Sequence, residues 1–541
     1  MFTGLFTLIK LILRRDRIKL PVSIVCFVAF LLWMLPLLNN MYGDEESLTT
    51  LYQTFSANAA GIFLTGMMDA PTFGALMTIE TLLWWGLAIA FINILLVVRH
   101  TRQNEEMGAQ ELIQSCRVGR GASLLAAVLV AFVANLIITI ALGVGMTLLS
   151  FDAWDASQAW LYAITMGLFG MVWAAITAVV VQLVESARSA RGMMMGILGL
   201  TFLVRGVGDF LGKPDTNGLI QPEWFSYLSP FGWAQATRAL THPEWLPILI
   251  PIIFILLAVP LAFFLLHKRD IGSGILPSRK GRPRASAGRK TPLGFTWYVQ
   301  KNAFFGWLAG VVLFIGVIGM LVPEMSRVFD TTDTVRQMIE ALGGTGAMIP
   351  AFLSAMLALA AIAAAGYVVQ GLGKLRGEEA SGYVENLLAT RLSRVKWLAL
   401  HVGLVLVGGA ILLALSGAIL AGFTIATGEY DVNFWEYVLA GLSYFPMLLA
   451  FAGVYVLLFG ILPRAVGAIV WTYYGFMAFA TWVGPMVGFP AWVMNISIME
   501  HFAGVPAESL AVWPLVVSAI VAVVTFIVGA AVWRNRDLME N

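Results

Sequence analysis

The sequence predicts an all-α integral membrane protein of about twelve transmembrane helices, built as two parallel six-span repeats with added interfacial and loop helices. Three observations predict it. The 541 residues are 59% hydrophobic and only 12% charged, with a mean hydropathy of +0.84. A soluble protein is about half apolar and about a quarter charged, and no soluble fold of this length has enough interior for such a chain. Twelve stretches are also apolar enough to cross a bilayer core, which takes about 20 residues of helix. Finally, three landmarks recur in the same order in the two halves.

Before the first span, Phe2, Leu5, Phe6, Ile9, Ile12 and Leu13 recur at helical spacing with Lys10, Arg14 and Arg17 off the stripe. That pattern predicts an amphipathic helix over 2–13 lying in the interface plane. No cleavable leader is expected, because the apolar stretch that follows is span-length and lacks a small-residue cleavage site. The spans are predicted at 20–38, 75–98, 122–149, 160–183, 193–210, 246–267, 303–323, 349–371, 397–425, 436–462, 465–483 and 510–532. Of 33 Lys and Arg, 28 fall in alternate connections counted from the N-terminus. The positive-inside rule therefore predicts cytoplasmic termini. The opposite loops lean acidic, with Asp44-Glu45-Glu46, Asp152, Asp155, Glu429 and Asp431.

Residues 268–292 have the composition of a basic cytoplasmic linker, read as a tether, with anionic-lipid binding the lesser alternative. The linker separates a first half, 1–267, from a second, 293–541. After the second span comes Glu105-Glu106-Met-Gly108-Ala-Gln-Glu111, then Arg117 and Arg120. After the eighth comes Glu378-Glu379-Ala-Ser-Gly382-Tyr-Val-Glu385, then Arg391 and Arg394. With one residue inserted before the glycine, Gly, Glu, Arg and Arg align at a constant offset of 274. Pro222-Glu-Trp224 through Ser229 matches Pro490-Ala-Trp492 through Ser497, and Lys268-Arg269-Asp270-Ile271 matches Asn535-Arg536-Asp537-Leu538. An even number of spans per copy makes the copies parallel, related by an axis along the membrane normal, with a substrate path expected near that axis.

A net charge of +2 excludes an electrostatic nucleic-acid binder. Cys26 and Cys116 support neither a disulfide framework nor a zinc cluster, and the five His are scattered. Gly371-Leu-Gly-Lys374 lacks the spacing of a phosphate loop. No nucleophile sits beside a base. The chain reads as a conduit that needs an external energy source, with no catalytic residue, metal or cofactor of its own. The connections 99–121 and 372–396 are the candidates for receiving that energy. Their acidic pairs suit bonds to Arg or Lys on a partner, or capping of helix N-termini. Gly108 and Gly382 permit a sharp turn.

These features resemble the permease subunits of bacterial ATP-binding cassette exporters of the polyketide-antibiotic type, including tetronasin-resistance and mycobacterial multidrug permeases. The residues that carry the resemblance are the N-terminal interfacial helix, Glu105-Glu106-x-Gly108-x-x-Glu111-Leu112 with Val118-Gly119-Arg120, Tyr227-Leu-Ser-Pro-Phe-Gly-Trp233, and Arg269-Asp270-Ile-Gly-x-Gly274. The second half departs from it, with Ser497-Ile498 in place of Ser-Pro. The resemblance implies a bacterial cell-membrane protein with two copies of a separate ATPase docked beneath it, ATP and Mg2+ being held by that partner. It makes 99–121 and 372–396 coupling helices seated in the ATPase, and 211–245 and 484–509 partly re-entrant outer caps. The cargo implied is an amphipathic drug or lipid-like compound.

Glu80, Arg205 and Asp209 are the ionisable residues most clearly inside the spans, costly there and hence functional candidates. Arg205 and Asp209, four apart, are expected to pair, either as a structural pair or as a substrate contact. Trp84 in span 2 and the stripe Trp471, Tyr474, Ala478 and Trp482 in span 11 suit a cavity for bulky apolar ligands, with plain packing as the alternative. Two further function classes share parts of this pattern. A secondary transporter shares the twelve-span layout, but coupling carboxylates at mid-membrane are scarce. A membrane transferase needs clustered His, Asp or Glu at one face, and the cytoplasmic carboxylates are confined to the repeated loops and span ends.

Overall fold

The computed structural model describes residues 2–538 apart from 58, 215–219, 277–282, 332–347 and 428–431. Glu429, Asp431 and the middle of the 268–292 linker therefore lie outside the described residues. The chain divides into two compact units, Met1–Gly281 and Arg282–Asn541. Apart from a two-residue ladder pairing Lys213 with Gln221 and Pro214 with Ile220, the regular structure among the described residues is helical.

Among the described residues, twelve helices have the length and composition to cross a membrane. In the first unit they are span 1 (Lys19–Tyr42), span 2 (Phe73–Glu106), span 3 (Ala122–Leu148), span 4 (Ala156–Leu183), span 5 (Ala187–Phe210) and span 6 (Leu246–Lys268). In the second they are span 7 (Pro292–Gly319), span 8 (Pro350–Ala380), span 9 (Arg394–Ala426), span 10 (Phe434–Ile461), span 11 (Val466–Pro485) and span 12 (Val512–Asn535). Local chemistry sets several starts. Thr72 accepts the Ala75 amide, Ser186 accepts the Ser189 amide, and Asp155 with Gln158 forms a reciprocal capping box. Span 10 is broken at Ser443-Tyr444 into Phe434–Leu442 and Phe445–Ile461.

Burial repeats from one unit to the other. Spans 2 and 4 bury 61% and 78% of their apolar stretch, and spans 8 and 10 bury 72% and 61%. The outer helices of each unit, spans 1, 5 and 6 or 7, 11 and 12, bury a third or less. Lipid is as apolar as Leu, so helices associate through close packing and polar contacts. Asn93 and Asn135 exchange amide hydrogen bonds at 3.2 and 2.8 Å between spans 2 and 3. Spans 10 and 12 meet backbone to backbone: a Cβ on Gly453 or Gly529 would come within 2.6 Å of the facing helix.

The N-terminal helix runs Leu5–Arg15 and buries Leu8 and Ile12 against the start of span 3 and the end of span 6. The expected stripe is only partly the packed one, since Phe6 is 85% exposed and Leu13 is half exposed. The stripe is one broad face, whose Leu8 and Ile12 edge packs on the protein while its Phe6 and Leu13 edge does not. The segment 268–276, read from composition as linker, is instead built into the first unit. Ile275 and Leu276 donate backbone hydrogen bonds to Gln182 and Leu183, and Arg269 is buried.

Candidate functional site

The loop after span 2 is a stack of short elements. Span 2 breaks at Thr101, continues as Arg102–Glu106, turns at Gly108 and runs on as the helix Ala109–Gln114. The turn needs a left-handed residue, and Gly108 has φ +71° with open space around it. Glu105 does not face outward. Its carboxylate accepts from both terminal guanidinium nitrogens of Arg269, at 2.6 and 2.8 Å, and from Arg102 at 2.8 Å. Arg102 also donates to the Val181 carbonyl, and Arg269 donates to Gln182 Oε1 at 2.8 Å. Arg120 closes the arrangement by donating to the Arg269 carbonyl oxygen. Glu106 accepts the Ala187 amide at 3.0 Å, capping span 5. Gln110 turns inward onto Ser123. What remains outward on the loop helix is Glu111 and Leu112, the latter 75% exposed, with exposed Arg117 beyond.

The second unit repeats this clasp. Glu379 pairs with Arg536 at 2.7 Å, and Arg394 donates to the carbonyls of Trp533, Arg534 and Arg536. Gly382, again at φ +71°, opens the helix Tyr383–Leu388. Val384 turns inward, while Tyr383, Glu385 and Arg391 are exposed. Glu378 lies 3.6 Å from His401, a partner unlike that of Glu106.

Role for role, Glu105 matches Glu379 and Arg120 matches Arg394, both at offset 274. The inserted residue in the sequence alignment is therefore unnecessary. Of the acids that the sequence offered to a partner or to helix N-termini, Glu105 and Glu379 instead bind arginines that follow the last span of their own unit. In the sequence, Arg269 and Arg536 stand in a repeated motif, and Arg269 also in the family resemblance, with no partner indicated for either. The motif's offset of 267 was the available signal, but their partners lie 164 and 157 residues away in the chain.

At the opposite end of the first unit, Arg205 and Asp209 do meet, at 3.2 Å and fully buried. Arg205 also donates to the Leu64 carbonyl at 3.1 Å, and Asp209 accepts from Ser226 at 2.9 Å. The pair thus holds the returning segment that begins at Pro222. That segment is capped at Ser229-Pro230 and buries Phe231 among Phe169, Trp173 and Phe202. Beneath it is a cavity of about 200 Å³ whose polar lining includes Asp69, Asp209, Gln235 and Arg238. Burial raises the Asp69 carboxyl above the usual range, against the pull of Arg238 3.6 Å away. In the second unit, Tyr473 holds the segment after span 11 by donating to the Ile496 carbonyl and accepting the Ile498 amide. A cavity of about 450 Å³ lies there, lined in part by Tyr444, Thr481, Asn495, Phe502 and Glu508.

The other pathway candidates are dispersed. Glu80 is half-buried in span 2 and joins neither Arg205 nor Asp209. Trp84 is 41% exposed, Trp471 44% and Trp482 39%. Trp471 meets Tyr474 edge-on at 5.4 Å, and Trp482 stands apart.

A family model described as the C-terminal domain of the multidrug efflux system permease Rv1217c matches residues 290–534. Over 540 residues the chain is 30% identical to the multidrug efflux system permease protein Rv1217c of Mycobacterium tuberculosis (strain ATCC 25618 / H37Rv). That alignment covers 99% of this chain and 96% of that protein.

Proposed function

This chain belongs to the family of multidrug efflux system permeases, and from that premise we propose that it is the membrane subunit of an ATP-binding cassette exporter. It moves amphipathic drugs or lipid-like compounds out of the cell with energy from a separate ATPase. The termini and the loops 99–121 and 372–396 face the cytoplasm, and the segments 211–245 and 484–509 cap the outer side. Two loops offer two seats, one for each copy of an ATPase that holds ATP and Mg2+.

The observation that carries this reading is the repeated clasp. A loop helix tied by Glu105 to Arg269 moves with the ends of spans 2 and 6 together, and one tied by Glu379 to Arg536 moves with spans 8 and 12. Force applied at Glu111 or Glu385 then reaches spans 2 and 8, which are mostly buried, without first deforming the loop. The cavities beneath the caps and the exposed Trp84, Trp471 and Trp482 are the places for cargo. Mild-detergent purification from the native membrane should retain an ATPase subunit. The double variant Glu111→Ala/Glu385→Ala should reach the membrane yet lose transport and stimulated ATPase activity. Transport that follows an ion gradient with no ATPase bound would contradict the reading.

A further inference from the structure

Where the N-terminal helix turns into span 1, a groove of about 490 Å³ opens against span 2. Arg15, Lys19, Arg99 and Arg191 line it, together with Leu20, Phe91, Ile92, Leu95 and Leu96. The charges are not equivalent. Arg99 is neutralised by Asp16, 2.6 Å away, whose carboxylate also bonds His100. Arg15 donates to the neutral Asn104 Oδ1 at 2.6 Å, and Arg191 reaches the neutral Gln103 Oε1 at 3.5 Å. Among the described residues no carboxylate pairs with Arg15, Lys19 or Arg191. Three uncompensated cations therefore converge at the ends of spans 1 and 5, the depth at which lipid headgroups lie.

We propose that this groove binds an anionic phospholipid, with its phosphate among Arg15, Lys19 and Arg191 and an acyl chain along Phe91 and Leu95. Guanidinium and ammonium groups are the natural partners of a phosphodiester. Phe91 and Leu95 are half exposed on span 2 directly beside them, and a free phosphate would leave that apolar wall uncovered. A bound lipid would brace the turn at Asp16 against span 2, whose extension carries the loop helix. The site needs no ATPase, so it is measured on the permease alone.

The test is native mass spectrometry of the full chain in neutral detergent. Phosphatidylglycerol and phosphatidylcholine of matched chains are compared, with inorganic phosphate as competitor. Phosphatidylglycerol should be retained in preference, and Lys19→Gln or Arg191→Gln should each weaken it about fivefold, the share of one surface cation. Arg188→Gln, on the same helix as Arg191 but outside the groove, should leave it unchanged. Equal retention of the two lipids, equal weakening by Arg188→Gln, or displacement by inorganic phosphate would overturn the proposal. On the unaltered protein, phosphatidylglycerol with a photoactivatable acyl chain should label residues 88–99. Labelling confined to other segments would also overturn it.

Discussion

Glu105 and Glu111 are six residues apart in one loop, yet their replacement should have opposite consequences. Glu105→Ala strips the counter-charge from Arg102 and Arg269, both buried, and removing one partner from such a network costs about 3–5 kcal/mol. The variant should unfold at a clearly lower temperature in detergent, and Glu379→Ala should behave alike through Arg536. Glu111→Ala removes an exposed carboxylate and should alter stability by no more than about 0.5 kcal/mol, while transport is lost. Thermal unfolding beside a transport assay separates the two. The sequence marked both acids through their repeated spacing, but spacing alone does not tell an internal anchor from an outward contact. That distinction is set by Arg269 and Arg536, whose proximity depends on how the last span of each unit returns to the loop.

At the scale of elements, the two loop helices share a turn that only a left-handed residue makes easily. Gly108 and Gly382 have the same φ of +71°, and nothing lies within 4 Å of a Cβ at either position. The cost of Gly108→Ala or Gly382→Ala is therefore conformational alone, about 1–2 kcal/mol. Either substitution should leave the protein folded but reduce coupling, and Gly108→Asn should be milder because Asn tolerates this conformation. Transport per bound ATPase is the measurement. These turns were legible because glycine recurred beside a repeated Glu. The N-terminal helix was legible as a helix but not in its packing, because a stripe of apolar residues does not say whether protein or lipid covers it. Leu8 and Ile12 took the protein side, and Phe6 was left bare.

For the whole molecule, the number of spans and most of their limits followed from length and hydropathy, since bilayer thickness leaves little freedom. Span 7 departs furthest from expectation: its helix begins at Pro292, eleven residues early, with Phe295, Trp297 and Tyr298 on its exposed first turns. Aromatic side chains suit an interfacial segment, and a hydropathy threshold undervalues them. The duplication was legible in three motifs and returns in the burial of spans 2 and 4 against spans 8 and 10. The central claim is that a separate ATPase drives this permease through both repeated loops. A photo-crosslinking residue placed at 112 or at 386 in the native membrane tests it most directly. The account predicts an ATPase subunit crosslinked from each position, with none crosslinked from Trp224 on the opposite side. A complex that retains its ATPase yet crosslinks from neither 112 nor 386 would contradict it.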